Sequence, residues 1–442
     1  MNSFIRWPLA DTALNGDRKR VLLLSYFFPP CDLIGARRPA GLAHWLPEFG
    51  WDPVVITAGW GNTQADIIEV PHQDRLQRMR EASRSHQAVA RAVSAGTGHT
   101  AALKTIFRHI IRNGLHWYDC HRGWSAKAIQ AGIDAGRKTQ VDLVWATCDP
   151  FSMAFAAQQI ATALQVPYII DLRDPLPEYL LERTVSRHWL GKAMRGATAV
   201  TLAAPMCSTP VLQRARDGGA DYCILSGAWQ SKHQASESSE KFTLLHAGTL
   251  HGQQRDPRPL LDGIAQLVRD VPGFAEDARL CLIGGDSHFI TTNPEYRSLE
   301  ALAVIHGRMP YHDVVRYMRQ ASVLLIINGP NFYFADPVPG KFYDYLPFDA
   351  PVLAVGGRGG ILQELLNWSG AGAWAGSSAE VATYLLAQYH AWLQRKVIKS
   401  MRDPDALTYL SQQRMAREFA EVFRGVSGRR DIRYETRSPW TR

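Results

Sequence analysis

No stretch of this sequence is long and apolar enough to cross a bilayer as a helix. The longest apolar runs, VLLLSYFF (Val21–Phe28) and SVLLIIN (Ser322–Asn328), are strand-sized, well short of the roughly 18 residues a spanning helix needs. The opening segment MNSFIRWPLADTALNGDRKR lacks a continuous apolar core followed by a small-residue cleavage site. It does not read as a signal peptide, and the expected location is the cytoplasm. Paired cysteines are also missing. The six that exist (Cys31, Cys120, Cys148, Cys207, Cys223, Cys281) are scattered with no CxxC, which argues for reduced, buried thiols and against a structural zinc. Neither GxGxxG nor GxxxxGK[ST] occurs, so the ordinary dinucleotide and P-loop readings lose their support.

What is present belongs to a folded protein. Apolar residues make up 46% and charged residues 20%, outside the range of disordered chains, and 442 residues suffice for two or three domains. The net charge of +8 suits nucleic acid, a phosphorylated small molecule or an anionic membrane face, and equally a solvated excess.

From Arg20 onward short apolar runs alternate with segments of helical period. RVLLLSYF, DPVVITAG, VDLVWATC, PYIIDLRD, ATAVTLAA and YCILSGA read as strands, nearly continuous in apolar residues as strands covered on both faces are. Segments such as RRPAGLAHWLPEF and PFSMAFAAQQIATALQ between them predict helices, and the alternation predicts a parallel sheet wrapped in helices. The polar segment WQSKHQASESSEK, without periodicity, reads as a linker, after which FTLLHAG, ARLCLIGG, AVIHGRM, SVLLIING and PVLAVGG restart the pattern.

The expected organisation is therefore a first α/β domain over 1–228, a linker over 229–240 and a second α/β domain over 241–376. Helices follow over 377–425, crossing back to the first domain, and a basic tail over 426–442. An insert over about 60–123 carries no convincing strand, but Leu103, Ile106, Phe107, Ile110 and Ile111 fall at helical spacing among basic residues. Such a helix packs on the domain or lies on an anionic bilayer surface.

In open parallel sheets ligands bind beyond the carboxyl ends of the strands, which directs attention to the loops there. After the first strand, SYFFPPCDLIGARRP brings Gly35 to a helix start, where backbone N–H groups favour an anion. The second half opens with LLHAGTLHGQQRDPRP, in which Gly248 and Thr249 end a strand and Arg255 and Arg258 precede a helix. Arg308, after AVIHGRM, could flank a base. The stretch FADPVPGKFYDYLPFDAPVLAV holds Asp336 and Asp344 eight positions apart, around Val338, Pro339, Gly340 and Lys341. Gly340 permits close backbone approach, Lys341 adds a point charge, and Asp344, a turn into a helix, could hold a ribose diol. The alternative for the two acids is a pair of solvated loop carboxylates. DLRDP ends a first-half strand, where Arg173 and Asp174 orient an acceptor, or Arg173 contacts the phosphates or joins a structural ion pair with a neighbouring acid. The acids of DPD, Asp403 and Asp405, lie between helices and read as a helix cap rather than a metal motif.

The tandem α/β halves, with SYFFPPCDLIGARRPAGLAHWLPEFGWDPVVITAG, ATCDPFSMAFAAQQIATALQVPYIIDLRDP and LLHAGTLHGQQRDPRPLLDGIAQL, resemble bacterial glycosyltransferases of the GT-B fold. Within that fold they resemble the retaining family 4, over roughly Lys19 to Arg424. The resemblance implies two tandem Rossmann-like doubly wound parallel-sheet domains with a cleft between them. That family carries Glu-x7-Glu in its donor domain, and here both ends are aspartate. By this resemblance Asp344 holds the donor ribose, Asp336 the sugar hydroxyls, and the backbone from Val338 to Gly340 the diphosphate. Arg255 resembles the family's phosphate-binding arginine, and Gly35 the glycine loop that closes over the donor. The lysine expected about six residues after Arg255 is missing, leaving Arg258 or Lys341 to replace it.

The expected activity is transfer of a sugar from a nucleoside-diphosphate sugar to a glycan or lipid-linked acceptor, in bacterial surface polysaccharide synthesis, with retention. Asp336, Arg255 and Lys341 carry the catalysis, and no metal or other cofactor is expected. Peripheral contact with an anionic inner membrane face is the expected setting, with no nucleic acid partner. Two alternatives stand beside it: a GT-B-fold sugar-nucleotide epimerase or hydrolase, and a catalytically silent partner protein.

Overall fold

The computed structural model describes residues 5–8, 18–64, 66–71, 122–176, 184–207, 212–213, 220–228, 233–250, 255–284, 290, 293–329, 338–357, 359–428 and 434–435. The chain divides into two compact units, Met1–Cys223 with Phe419–Tyr434, and Ile224–Glu418 with Glu435–Arg442. Both are Rossmann-like, doubly wound α/β units built on parallel sheets.

Among the described residues the first sheet contains β1 (Ile5–Pro8), β2 (Lys19–Leu24), β3 (Trp51–Ala58), β4 (Ile67–Val70), β5 (Leu143–Cys148), β6 (Tyr168–Leu172), β7 (Ala199–Leu202), β8 (Ala220–Cys223) and β15 (Tyr434–Glu435). Their order is β15-β1-β8-β7-β6-β5-β2-β3-β4, so sequence order runs outward in opposite directions from β2 and β5. Every residue of β5, β6 and β7 is buried, which explains their unbroken apolar sequences. Helices α1 (Arg37–Trp45), α2 (Arg122–Thr139), α3 (Ser152–Leu164) and α4 (Thr184–Gly196) belong to this unit.

The second sheet contains β9 (Phe242–Ala247), β10 (Ala278–Ile283), β11 (Ala303–His306), β12 (Val323–Ile327), β13 (Val352–Val355) and β14 (Gly372–Ala375), in the order β11-β10-β9-β12-β13-β14. Here the direction reverses between β9 and β12. Helices α5 (Arg258–Asp270), α6 (Phe274–Asp277), α7 (Tyr311–Gln320), α8 (Gly340–Tyr345), α9 (Gly360–Ser369), α10 (Ser378–Arg395) and α11 (Pro404–Tyr409) accompany it. The last helix, α12 (Gln412–Gly428), begins in the second unit and ends in the first. Its Phe419 and Phe423 make edge contacts with Trp145 and Trp51 of the first core.

Local chemistry sets several boundaries. Ser377 and Glu380 form a reciprocal capping box at the start of α10. Asp403 caps α11 by accepting from the N–H groups of Asp405 and Ala406, so the DPD acids form a helix start. The polar segment around Ser236 lies on the second unit: Gln234 N–H donates to the Pro347 carbonyl at 2.8 Å, and His233 meets Asp349 at 2.7 Å. The insert begins with a strand, β4, where none was expected; its partly exposed residues at a sheet edge give it little apolar signal. The amphipathic segment Leu103–Ile111 lies outside the described residues. Cys148, Cys207, Cys223 and Cys281 are buried free thiols and Cys31 is partly exposed. Burial pushes the Cys207 thiol up to about 12. Among the described residues no helix is long and apolar enough to cross a membrane.

The first unit contains a buried ion pair. Arg38 of α1 donates through Nε and Nη2 to Asp171 of β6 at 2.9 and 2.8 Å, and both side chains are almost wholly enclosed. Thr147 and Thr201 hydroxyls complete the carboxylate's coordination at 3.1 and 2.7 Å, and Phe419 covers the guanidinium. Replacing Asp171 with alanine strands a buried cation. Urea denaturation of Asp171→Ala is expected to show a loss of about 3–5 kcal/mol, with a smaller loss when Arg38→Met is added.

Candidate functional site

The carboxyl end of the second sheet opens between β9 and β12. Their ladder consists of two residue pairs, Leu244 with Val323 and Leu245 with Leu324, whereas β9 and β10 pair along their full length. Beyond those pairs side chains occupy the seam. The Tyr345 hydroxyl accepts the Ala247 N–H at 3.1 Å and donates to the Leu325 carbonyl at 3.4 Å. His246 Nδ1 meets the same carbonyl at 3.1 Å. This is the reversal point of strand order, where doubly wound sheets form their ligand crevice.

Two glycines shape the opening. Gly248 follows β9 at φ +140°, and a Cβ there would lie 2.3 Å from Lys341 Cε and 2.6 Å from its Nζ. Gly284 follows β10 at φ +120°, and a Cβ there would come within 2.9 Å of the Gly248 backbone. Backbone conformation disfavours a side chain at both positions, and at Gly284 the Gly248 backbone also leaves no space for one.

The charged groups converge on this point. Lys341, in the first turn of α8, places Nζ 3.2 Å from His246 Nε2. Burial and the nearby Arg255 hold the Lys341 ammonium well below its ordinary range, against the opposing pull of Asp344. Burial, then Lys341, depress the His246 imidazole, so the ring is neutral. Arg255 donates to the Thr249 carbonyl at 3.3 Å, and burial lowers its pKa too. Asp344 is 8% exposed, on the same short helix as Lys341.

Of the expected residues, the structure brings Gly248, Thr249, Arg255, Lys341 and Asp344 together. Val338 and Pro339 lead directly into α8 at Gly340. Arg258 is engaged elsewhere: its guanidinium clasps the Asp256 carboxylate at 2.6–3.0 Å on the surface. Lys341 is therefore the cation that joins Arg255. Arg308 is exposed beyond the edge strand β11, with β10 between that strand and β9. Asp336 lies outside the described residues.

Three residues of the site were not anticipated. His246 and Tyr345 line the seam, and Asn328, just past β12, is buried with a side-chain nitrogen that meets no acceptor among the described residues. A histidine inside FTLLHA and an asparagine ending SVLLIIN are polar interruptions of apolar strands, and that signal could have marked both. Tyr345 carried no such mark.

In the first unit, Gly35 and Arg173 meet. A Cβ on Gly35 would lie 2.3 Å from Arg173 Nη1 and 3.1 Å from Phe27 Cδ2. Arg173 donates through Nε to the Cys148 carbonyl at 3.3 Å and through Nη2 to the Asp149 carbonyl, with its guanidinium 5.9 Å from the Phe27 ring centre. The acid of DLRDP engaged in an ion pair is Asp171, with Arg38. Asp174 is exposed.

No protein-family model and no curated protein matches this chain. Solved structures do resemble it. Sucrose-phosphate synthase from Thermosynechococcus elongatus aligns with a TM-score of 0.54 at 13% identity, covering 92% of this chain and 95% of that one. HepE from Anabaena, in complex with UDP-glucose, aligns with a TM-score of 0.55 at 13% identity over 91% and 98% of the two chains. A UDP-forming α,α-trehalose-phosphate synthase from Burkholderia vietnamiensis gives 0.56 at 11% identity over 93% and 100%. At these identities the likeness establishes the fold, two tandem Rossmann-like units of the GT-B kind.

Tyr345→Phe removes the bridge and leaves the Ala247 N–H and Leu325 carbonyl without their hydroxyl partner. Chemical denaturation is expected to show a loss of about 1–3 kcal/mol. Gly248→Ala forces Lys341 out of place and is expected to destabilise by a similar amount.

Proposed function

We propose that the protein is a glycosyltransferase that moves a sugar from a nucleoside-diphosphate sugar to a glycan or lipid-linked acceptor. The observation that carries the reading is two desolvated cations, Lys341 and Arg255, held beside a glycine-lined opening where strand order reverses. Such a site is prepared for an anion. The fold supports it: HepE, of the same architecture, is solved with UDP-glucose, and the trehalose-phosphate synthase is UDP-forming.

In this reading the diphosphate lies over Gly248 and Thr249, against Arg255, Lys341 and the backbone from Val338 to Gly340. Asp344 holds the ribose hydroxyls and Arg308 flanks the base. Asp336 holds the hydroxyls of the transferred sugar. The bond from the anomeric carbon to the diphosphate oxygen breaks as a bond to the acceptor oxygen forms. The acceptor's proton passes to the departing phosphate. Arg255 and Lys341 stabilise the charge that grows on the leaving group, the work a metal would otherwise do. Gly35 closes over the donor, and Arg173 and Asp174 serve the acceptor side in the first unit. A retaining outcome, membership of family 4 and a role in surface polysaccharide synthesis at the cytoplasmic membrane face belong to the same proposal. Aspartates in place of the family's glutamates shorten each reach by a methylene, so either the backbone comes closer to the donor or the contact is weaker. An epimerase or hydrolase would need acid/base carboxylates or a histidine in the cleft; of these His246, at least, has both ring nitrogens engaged.

A thermal-shift panel of UDP, GDP, dTDP, ADP and CMP, with and without attached sugars, tests the donor site. A ligand at a hundred times its Kd is expected to stabilise the protein by about 2.7 kcal/mol, which reads as a shift of a few degrees. One nucleotide should stabilise the wild type and not Asp344→Ala. Silence of every nucleotide at millimolar concentration would overturn the reading and favour a catalytically silent partner.

A further inference from the structure

His246 is a polar residue in the buried strand β9 and is 1% exposed. The Leu325 carbonyl, 3.1 Å from Nδ1, can only accept, so Nδ1 carries the ring's proton. The ring is neutral, because burial and the cations Lys341 and Arg255 outweigh the carbonyls of Leu325 and Gly248, which favour the charged form. The Nε2 lone pair therefore faces Lys341 Nζ at 3.2 Å and accepts one of its N–H groups. The remaining N–H groups of Lys341 lie next to Gly248, where a Cβ would stand 2.6 Å from Nζ.

We propose that His246 is a positioning residue for donor binding: its Nε2 holds the Lys341 amine beside Gly248, aimed at the diphosphate. The inference rests on the glycosyltransferase reading and assigns a role to a side chain that touches no substrate. The Leu325 carbonyl fixes the tautomer, the tautomer presents a lone pair, and the lone pair fixes the lysine. It is the arrangement by which a second residue orients a ligand-binding one.

A proton balance follows. The groups facing Lys341 are His246 on β9, Arg255 after it, and Asp344 on α8. Burial and Arg255 favour the neutral amine, and Asp344 opposes them. A bound diphosphate adds negative charge and favours the ammonium, so binding takes up a proton wherever the free amine is neutral. Affinity then weakens as pH rises through that window.

The test separates the lysine contact from the strand contact. In His246→Asn the amide can still donate to Leu325 but no longer reaches Lys341, whereas in His246→Gln an oxygen at the tip can accept from Nζ. UDP, GDP, dTDP and ADP are titrated calorimetrically over a series of pH values, each beside its monophosphate, in two buffers of different ionisation enthalpy. His246→Asn is expected to bind the preferred diphosphate about tenfold more weakly, with its monophosphate little changed and the proton uptake lost. His246→Gln should stay within about threefold of the wild type. In a Lys341→Met background, His246→Asn should have no further effect. If the wild type binds a diphosphate and His246→Asn binds it equally, with the same proton uptake, the positioning role is overturned and the donor site stands. If the wild type binds no diphosphate, the donor reading falls and takes this role with it.

Discussion

The second unit depends on one interruption: the ladder between β9 and β12 stops after Leu245 and Leu324. A parallel sheet that winds in both directions from a central pair leaves a seam there, and the seam exposes backbone groups that burial does not tolerate unpaired. The Ala247 N–H and the Leu325 carbonyl are those groups. Tyr345 satisfies both with one hydroxyl, and His246 adds a second donor to the carbonyl. Because Tyr345 and Lys341 are four residues apart on α8, they share a face of the helix. Docking the hydroxyl into the seam thus delivers the lysine to Gly248. Arg402 secures the far end of α8 through the carbonyls of Tyr345, Phe348 and Ala350, and its burial lowers its pKa to about 10.

The first unit has the same reversal of strand order between β2 and β5 but no comparable seam, since that ladder runs through four pairs. Its buried charge serves the scaffold. Asp171 is consumed by Arg38 and two threonines, and Arg173 is turned onto carbonyls beside Gly35. One winding pattern therefore yields two different ends, and the difference lies in which polar groups the strands leave unpaired.

That difference bears on what was legible in the sequence. The doubly wound plan was, because strands such as LVWATC and YIIDL are covered on both faces and must be apolar throughout. The grouping of Gly248, Arg255 and Lys341 was marked by glycine and charge near strand ends, whereas Asp344 was marked by the family resemblance rather than by spacing. The strand β4, at a sheet edge and partly exposed, was not, and β14 (GAWA) is built of small residues with little strand signal. His246, Tyr345 and the choice of Lys341 over Arg258 depend on contacts between segments about 90 residues or more apart, which spacing does not encode. Asp256, two residues from Arg258, held the local clue: an acid that close neutralises its neighbour.

Neutralisation is what separates the two cations. Arg258 rests with its counter-ion at the surface and has little to gain from an anion. Lys341 and Arg255 are desolvated beside each other, each a like charge to the other, with Asp344 a partial offset. That arrangement costs the folded state free energy, through burial and through repulsion. In the proposed reading the cost is recovered when a diphosphate enters, because its charge opposes both cations in a partly desolvated site. The structure carries the cost at this point because His246, which meets the lysine amine, and Tyr345, on the same short helix as the lysine, are also the residues that close the seam.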